Sequence, residues 1–137
     1  MTTLTQDPEI KDLLSQSKVV AVVGHSDKPH RTSYRIAQYL RDVGYKVYPV
    51  NPVVDRIDGE KSYASLAEVP EPIDIVDVFR RSEHLDQIVA AAVDVGAKSV
   101  WTQLGVVDPT AEARANRDGM PIVIDRCIKV EHHRLGL

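Results

Sequence analysis

The sequence has 137 residues, of which 43% are hydrophobic and 27% are charged, the balance of an ordinary globular protein. A formal net charge of −3 argues against a nucleic-acid-binding protein, and no apolar run approaches the roughly 18 residues that a membrane span requires. The single cysteine excludes an intramolecular disulfide, and the N-terminal residues lack the pattern of a signal peptide, so we expect a cytoplasmic protein.

The first elements in the chain are a short helix and a buried strand. Asp7 and Pro8 suit the N-cap and the first turn of a helix, and an apolar stripe predicts a lead-in helix over about residues 7–16. The apolar, mostly β-branched run Val19–Val23 is typical of a strand buried on both faces. We therefore expect it to be a central strand of a parallel sheet.

A helix and a second strand come next. Apolar residues spaced for one helical face predict a helix that ends at Gly44. The stretch "YKVYPVNP" predicts the second strand, and we expect its pairing to end at Pro49 and Pro52. Residues 53–72 carry weaker signals and indicate turns and irregular structure.

In the second half of the chain, three more strands alternate with two helices. The strands are predicted at "IDIVDVF", "KSVWTQ" and "PIVI". Between them, one helix ends at Gly96 and another begins at Asp108 and Pro109, and "DRCIKVEHHRL" forms a tail. This order predicts an α/β fold over residues 1–137, a single Rossmann-like, doubly wound, mostly parallel sheet of about five strands with helices on both faces.

The loop from Gly24 to Ser33 joins the carboxyl end of the first strand to a helix, which is where ligands bind in such folds. Gly24 allows a phosphate to approach the backbone, and Ser26 and Ser33 offer hydroxyl groups. Lys28 and Arg31 add positive charge. The loop lacks the glycines of a dinucleotide fingerprint and the ending of a P-loop, so a solvated loop with incidental basic residues is the alternative.

The end of the second strand argues against NAD. An NAD site has an acidic residue here that holds the ribose hydroxyls, whereas this strand ends in Val50, Asn51 and Pro52. Asn51 could bond a ribose or a base edge, but it is equally suited to forming an Asx-type turn.

Several stretches together resemble the small coenzyme A-binding protein family, whose members are similar to the N-terminal domain of the succinyl-CoA synthetase alpha subunit. The resemblance covers about residues 14–135 and rests on "GHSDKPHRTSYRIAQYL", "GYKVYPVNP", "YASL", "DIVDVFRR", "GAKSVWTQLGV" and "DRCIKVEHHRL". It implies a single Rossmann-like domain that binds CoA or an acyl-CoA across the ends of the strands.

The resemblance also implies which residues line the CoA site. They fall on the loop, on the second strand end and on two later strand ends: Gly24, His25, Ser26, Arg31, Ser33, Val50, Asn51, Pro52, Phe79, Arg80, Arg81, Gln103, Leu104 and Gly105. We expect Arg31 and Arg80 to contact phosphate, and Val50 and Phe79 to offer apolar surface. A solvated pair is the alternative for Arg80 and Arg81.

Other chemically reactive residues do not form a catalytic or metal site in the sequence. The five histidines have no metal-ligand spacing. Asp74 and Asp77 fall on opposite faces of one strand, so one is a candidate buried carboxylate, with a structural hydrogen bond as the expected role of either. Cys127 is expected to be a buried thiol, with a mixed disulfide to the CoA thiol as the alternative. Trp101 is expected in the core or in the cleft wall.

The favoured hypothesis is therefore a non-catalytic, cytoplasmic protein that binds CoA or acyl-CoA, with no nucleic-acid or membrane partner. One alternative is a subunit of an acyl-CoA or NAD(P)-dependent enzyme that a partner chain completes, and another is a regulatory domain that senses a nucleotide. Ligase activity is not expected, because the synthetase's phosphorylated histidine lies in a second domain. We also consider a homodimer, and the residues do not distinguish free CoA from an acyl-CoA.

Overall fold

A computed structural model describes all residues from Met1 to Leu137. The strands are β1 (Val19–Val23), β2 (Lys46–Val50), β3 (Arg56–Ile57), β4 (Glu60–Lys61), β5 (Ile75–Val78), β6 (Val100–Thr102) and β7 (Ile122–Val123). The α-helices are α1 (Asp7–Gln16), α2 (Thr32–Asp42), α3 (Leu85–Asp94), α4 (Pro109–Arg117) and α5 (Ile128–Arg134), and single 3-10 turns lie at Leu66–Glu68 and Ser82–His84. None of the helices is long and apolar enough to cross a membrane.

Five strands form one parallel sheet in the order β2-β1-β5-β6-β7. The chain leaves β1 toward β2 on one side and later returns to β5 on the other, so the strand order reverses between β1 and β5. This is a doubly wound, Rossmann-like sheet, as the alternating periodicity predicts, and its ligand crevice lies at the reversal. The strands β3 and β4 form a separate antiparallel hairpin.

Helices cover both faces of the sheet, because its strands carry apolar side chains on both sides. On one face, α1, α2 and α5 pack on residues such as Val20, Ile75 and Trp101. On the other face, α3 and α4 pack on residues such as Val76 and Val100. Trp101 is fully buried, which confirms its expected place in the core.

Pro49 does not end the pairing of β2, which corrects the sequence-based prediction. It lies inside the strand, opposite Val22 of β1. Alternate residues of β2 bond to β1, and Pro49 is one of those that face the outer edge, so its missing N–H costs no bond to β1. On this outer edge, the carbonyl of Pro49 accepts from the amide of Tyr63 over 2.9 Å. The amide of Asn51 donates to the carbonyl of Tyr63 over 2.8 Å.

Two further boundaries differ from the sequence-based prediction. The N-cap of α1 is Gln6, one residue before Asp7, and its amide donates to the Glu9 carboxylate over 3.3 Å. The tail contains the helix α5, whose 7 residues are too few to show a clear period. The elements between these ends follow the predicted order.

Candidate functional site

A cleft lies over the carboxyl ends of β1, β5 and β6, at the reversal of strand order. It consists of two adjoining cavities of about 400 and 520 Å³, which share Thr32 and Phe79. The first cavity is lined by Gly24, Ser26, Lys28, Arg31, Thr32, Ser33 and Phe79. The second is lined by Thr32, Phe79, Arg80, Arg81, Gln103, Leu104, Val106 and Cys127. The structure therefore brings together residues from four segments that are far apart in sequence.

Gly24 is the residue that lets the chain leave β1 and enter the loop. Its φ is +88°, a conformation that residues with a Cβ rarely adopt. A Cβ at this position would also lie 2.6 Å from the carbonyl oxygen of Phe79, which is backbone and cannot move aside cheaply. The amide of Gly24 donates to the carbonyl of Val50 over 2.8 Å. Glycine is thus required here by both conformation and space.

The loop closes on itself through two serine hydroxyls. The hydroxyl of Ser33 accepts from the amide of Ser26 over 3.0 Å, and the hydroxyl of Ser26 accepts from the amide of Lys28 over 3.0 Å. Each hydroxyl keeps its own proton free for another acceptor. These bonds hold the loop above the start of α2.

The N-terminus of α2 carries no cap from the protein. Its N-cap residue, Arg31, makes no side-chain cap hydrogen bond, and the first turn contains no acidic residue. The first N–H groups of a helix have no partner within the helix, and together with the helix dipole they favour an anion. This end of α2 therefore offers donors to a phosphate group in the first cavity.

The charged side chains of the cleft are all basic. Lys28 and Arg31 are exposed, and Arg80 is half-buried. The side chain of Arg80 lies against Gly24, because a Cβ added to that glycine would be 3.0 Å from the Arg80 Cδ. Arg81 is largely exposed and lies 3.8 Å from Glu83, as expected for the solvated alternative. No aspartate or glutamate lines either cavity. The electrostatic environment therefore favours a polyanionic ligand.

His25 is buried beneath the loop and stabilises it. Its Nδ1 lies 2.8 Å from the Ser26 carbonyl, to which it donates, and its Nε2 accepts from Arg41 over 3.2 Å. Burial lowers the pKa of His25 to about 4, so the imidazole is neutral. The whole residue is buried and lines neither cavity, so His25 supports the loop and presents no surface to a ligand, which corrects its predicted place in the site.

The end of β2 supports the loop rather than lining the cavities. Asn51 donates from its side-chain nitrogen to the His25 carbonyl over 2.9 Å and accepts from the Val53 amide over 3.1 Å. The second bond is an Asx-type turn, one of the two roles that the sequence leaves open. Val50 is only 4% exposed, which leaves little surface for a pantetheine or adenine contact, and Pro52 is exposed outside both cavities.

Gln103 lines the second cavity and is hydrogen-bonded to Asp77, which is buried behind it. The Gln103 side-chain nitrogen donates to Asp77 over 2.6 Å, and the second carboxylate oxygen of Asp77 has no partner. Asp77 is fully buried, and this burial raises its pKa to about 7. Asp74, at the other end of the strand, accepts from the amides of Lys18 and Val19. Both carboxylates thus have the structural hydrogen bonds expected of them.

The cavity lining differs in part from the predicted site. Five predicted residues lie outside both cavities: His25, Val50, Asn51, Pro52 and Gly105. Thr32, Val106 and Cys127 also line the cleft, although the residues carried over from the family resemblance do not include them. Cys127 is partly exposed there, which corrects the expectation of a buried thiol. Gly105 is not among the lining residues, and its amide donates to Asp125 over 2.7 Å. No group of three or more His, Cys, Asp or Glu side chains is arranged to hold a metal ion.

The fold and the cleft define an α/β protein of the Rossmann-like class with a basic ligand site at its strand ends. The model of one family, described as CoA binding domain, matches residues 18–133. The chain therefore belongs to the CoA-binding domain family.

Three similar proteins illustrate the range of the family. The chain is 44% identical over 124 residues to an uncharacterised Bacillus subtilis (strain 168) protein, YneT, covering 90% of this chain and 92% of YneT. A hypothetical protein from Pyrococcus horikoshii OT3 has a solved structure that matches with a TM-score of 0.92 and 37% identity, over 96% of this chain and 92% of that one. The ADP-forming acetate–CoA ligase II alpha subunit of Pyrococcus furiosus is 29% identical over 92% of this chain, which spans 30% of the subunit.

Proposed function

We propose that this protein binds CoA or an acyl-CoA in the cleft and catalyses no reaction by itself. The observation that carries the proposal is the uncapped N-terminus of α2, facing a cavity whose charged residues, Lys28 and Arg31, are both basic. Membership of the CoA-binding domain family supports CoA as the anion.

The phosphate groups of CoA match the basic residues of the cleft. CoA carries a pyrophosphate and a ribose 3′-phosphate. One guanidinium group can donate two parallel hydrogen bonds to the oxygens of a phosphate. Arg31 reaches the first cavity from the start of α2, and Arg80 reaches the second from the end of β5. We therefore assign the pyrophosphate to the junction of the two cavities at Thr32 and Phe79, with Arg31 and Arg80 as its main side-chain contacts.

NAD is a poorer fit than CoA. A dinucleotide site places a carboxylate at the end of the second strand, where it accepts from the ribose hydroxyls. Asn51 stands there instead, and both ends of its side chain are engaged by the backbone of His25 and Val53.

The side chains of the cleft support a binding role without catalysis. Nucleophilic catalysis requires a base within hydrogen-bond reach of the nucleophile. Neither cavity is lined by a histidine or a carboxylate that could activate Ser26, Ser33 or Cys127. The alternative of an enzyme subunit is supported by the similarity to the ligase alpha subunit, of which this chain spans 30%.

Isothermal titration of ligand-free protein tests the proposal, with CoA, 3′-dephospho-CoA, acetyl-CoA, NAD and NADP in parallel. We expect saturable binding of CoA, weaker binding of 3′-dephospho-CoA and no binding of NAD. If no CoA species binds, the proposed function is wrong. Turnover of acetyl-CoA by the isolated chain would contradict the non-catalytic part and favour the enzyme alternative.

The cellular and oligomeric context completes the proposal. We place the protein in the cytoplasm, because its single cysteine suits a reducing compartment. We further propose a homodimer, which sedimentation velocity of the purified chain can test. A monomer at all concentrations would remove the dimer without affecting the ligand site.

A further inference from the structure

A groove continues the cleft beyond its second cavity. The groove has a volume of about 390 Å³ and shares Leu104 and Cys127 with the cleft. Its far wall is formed by α5, with Val130 and the paired side chains of Glu131 and Arg134. The cleft and the groove therefore form one continuous path across the ends of the strands.

The length of this path follows from the register of the sheet. Val23, Val78 and Thr102 are paired across neighbouring strands, and β7 pairs with β6 one step further. Neighbouring strands lie about 4.8 Å apart, so three steps from the end of β1 to the end of β7 cover about 14 Å. Cys127 follows the end of β7 by a few residues.

The pantetheine arm of CoA has a matching length. About twelve bonds separate its phosphate-ester oxygen from its sulfur, as many as in the backbone of four residues, which extends over about 13–14 Å. With the pyrophosphate at the start of α2, the extended arm places its sulfur at the end of β7, beside Cys127 and Leu104. An acyl group on that sulfur would then enter the groove.

We propose that this groove is the acyl subsite of the protein, and that the preferred ligand is an acyl-CoA with an uncharged aliphatic acyl group. The inference rests on the proposed function, because the nucleotide must occupy the cleft for the arm to reach the groove. The thioester lies beside Cys127, and the acyl chain runs between Leu104 and Val130.

The side chains of the groove favour an aliphatic group over a charged one. Leu104 is 69% exposed and Val130 is 56% exposed, so each presents apolar surface that an alkyl chain would cover. The neighbouring charges already have partners: Arg126 lies 2.8 Å from Glu131, and Arg134 lies 3.0 Å from Glu131 and 2.8 Å from Asp7. An additional carboxylate on the acyl group would therefore find no free cation among them.

A chain-length series tests the subsite. Calorimetric titrations with CoA, acetyl-, butyryl- and hexanoyl-CoA should show affinity rising by about twofold per methylene. This factor corresponds to half the free energy of burying a methylene completely, because the groove covers only one side of the acyl chain. Hexanoyl-CoA has four more methylenes than acetyl-CoA and should therefore bind about 16-fold tighter. Equal affinities across the series would overturn the subsite while leaving CoA binding intact. Failure of all four ligands would overturn both the subsite and the proposed function.

The variant Val130→Ser tests whether the dependence of affinity on acyl-chain length arises in the groove, because Val130 lines the groove but neither cavity of the cleft. The variant should lower the affinity for hexanoyl-CoA severalfold and leave that for CoA unchanged. Val43→Ser, at an exposed valine after α2, is the matched control and should change neither. If Val130→Ser instead dissociates a dimer in sedimentation and leaves the hexanoyl-to-acetyl ratio unchanged, a second copy of the chain covers the groove and the proposal is wrong.

Discussion

The side-chain nitrogen of Gln103 lies 2.6 Å from the carboxylate of Asp77 and is the only hydrogen-bond partner of that side chain. Asp77 is fully buried, whereas Gln103 also lines the second cavity of the cleft. A single hydrogen bond does not compensate a carboxylate for the loss of its hydration, so burial raises the pKa of Asp77 to about 7. A buried carboxyl group with a pKa of about 7 thus lies directly behind a residue that lines the cleft.

Two buried groups have opposite effects on the pH dependence of stability. The folded pKa of Asp77, about 7, lies above its ordinary value of 3.8, so the free energy of unfolding falls as pH rises toward 7. The folded pKa of His25, about 4, lies below its ordinary value of 6.5, so the free energy of unfolding falls as pH drops below 6.5. Between pH 5 and pH 8, each effect amounts to about 2–3 kcal/mol, and the two nearly cancel.

The variant Asp77→Asn should remove this cancellation. Urea unfolding of the wild-type protein should give nearly equal free energies at pH 5 and pH 8. The variant should lose about 2 kcal/mol at pH 5 relative to pH 8, because the effect of His25 is then no longer offset by Asp77. His132, whose pKa is also lowered by burial, acts in the same direction. Identical pH profiles for the two proteins would mean that Asp77 does not change its protonation in this range.

Substitution of Gly24 by alanine should destabilise the fold and abolish CoA binding. The positive φ costs about 1–2 kcal/mol for a residue with a Cβ, and the contact of 2.6 Å with the Phe79 carbonyl adds to that cost. Thermal and urea unfolding measure the loss. Gly44→Ala is the matched control, because Gly44 also has a positive φ, +106°, but its Cβ would meet no atom within 4 Å. Equal losses in the two variants would show that the Phe79 contact is unimportant.

Arg31→Ala should weaken CoA binding by about 1.5 kcal/mol or more, roughly tenfold, because a charge-assisted bond to phosphate is lost. Arg117→Ala is the control, since this arginine lies on α4 and pairs with Asp118 over 2.9 Å. Calorimetry compares the two variants with the wild-type protein. An unchanged affinity in a folded Arg31→Ala protein would remove Arg31 from the site.

Acetyl-CoA should protect Cys127 from thiol reagents. Cys127 is the only cysteine and lines the second cavity, so labelling by a chromogenic disulfide reports on that part of the cleft alone. Acetyl-CoA is used because its sulfur is blocked as a thioester, whereas the free thiol of CoA would itself react with the disulfide. Saturating acetyl-CoA should slow the labelling severalfold, because the pantetheine arm covers the sulfur of Cys127. NAD at the same concentration is the control and should have no effect. A rate that acetyl-CoA leaves unchanged would place the arm elsewhere.

The order of the elements could be predicted from the sequence because it depends on local patterns. The apolar run Val19–Val23 shows a strand buried on both faces, and Asp108 with Pro109 marks the start of a helix. The position of the loop from Gly24 to Ser33 beside a cavity was likewise predictable from its place after the first strand, and its binding of an anion stays a prediction. The helix α5 was not, because 7 residues give too few turns for a period.

The sequence by itself determined the fold class, the family and the polar, basic character of the loop after the first strand, since these follow from local patterns and motifs along the chain. Only the tertiary structure decided which side chains face the cleft. His25 and Arg31 belong to the same loop, yet one is buried and the other is exposed, because Arg41 and the Ser26 carbonyl hold the imidazole inside. The parallel register, in turn, placed Cys127 and Leu104 at the end of the same cleft, and sequence spacing carries no record of that contact.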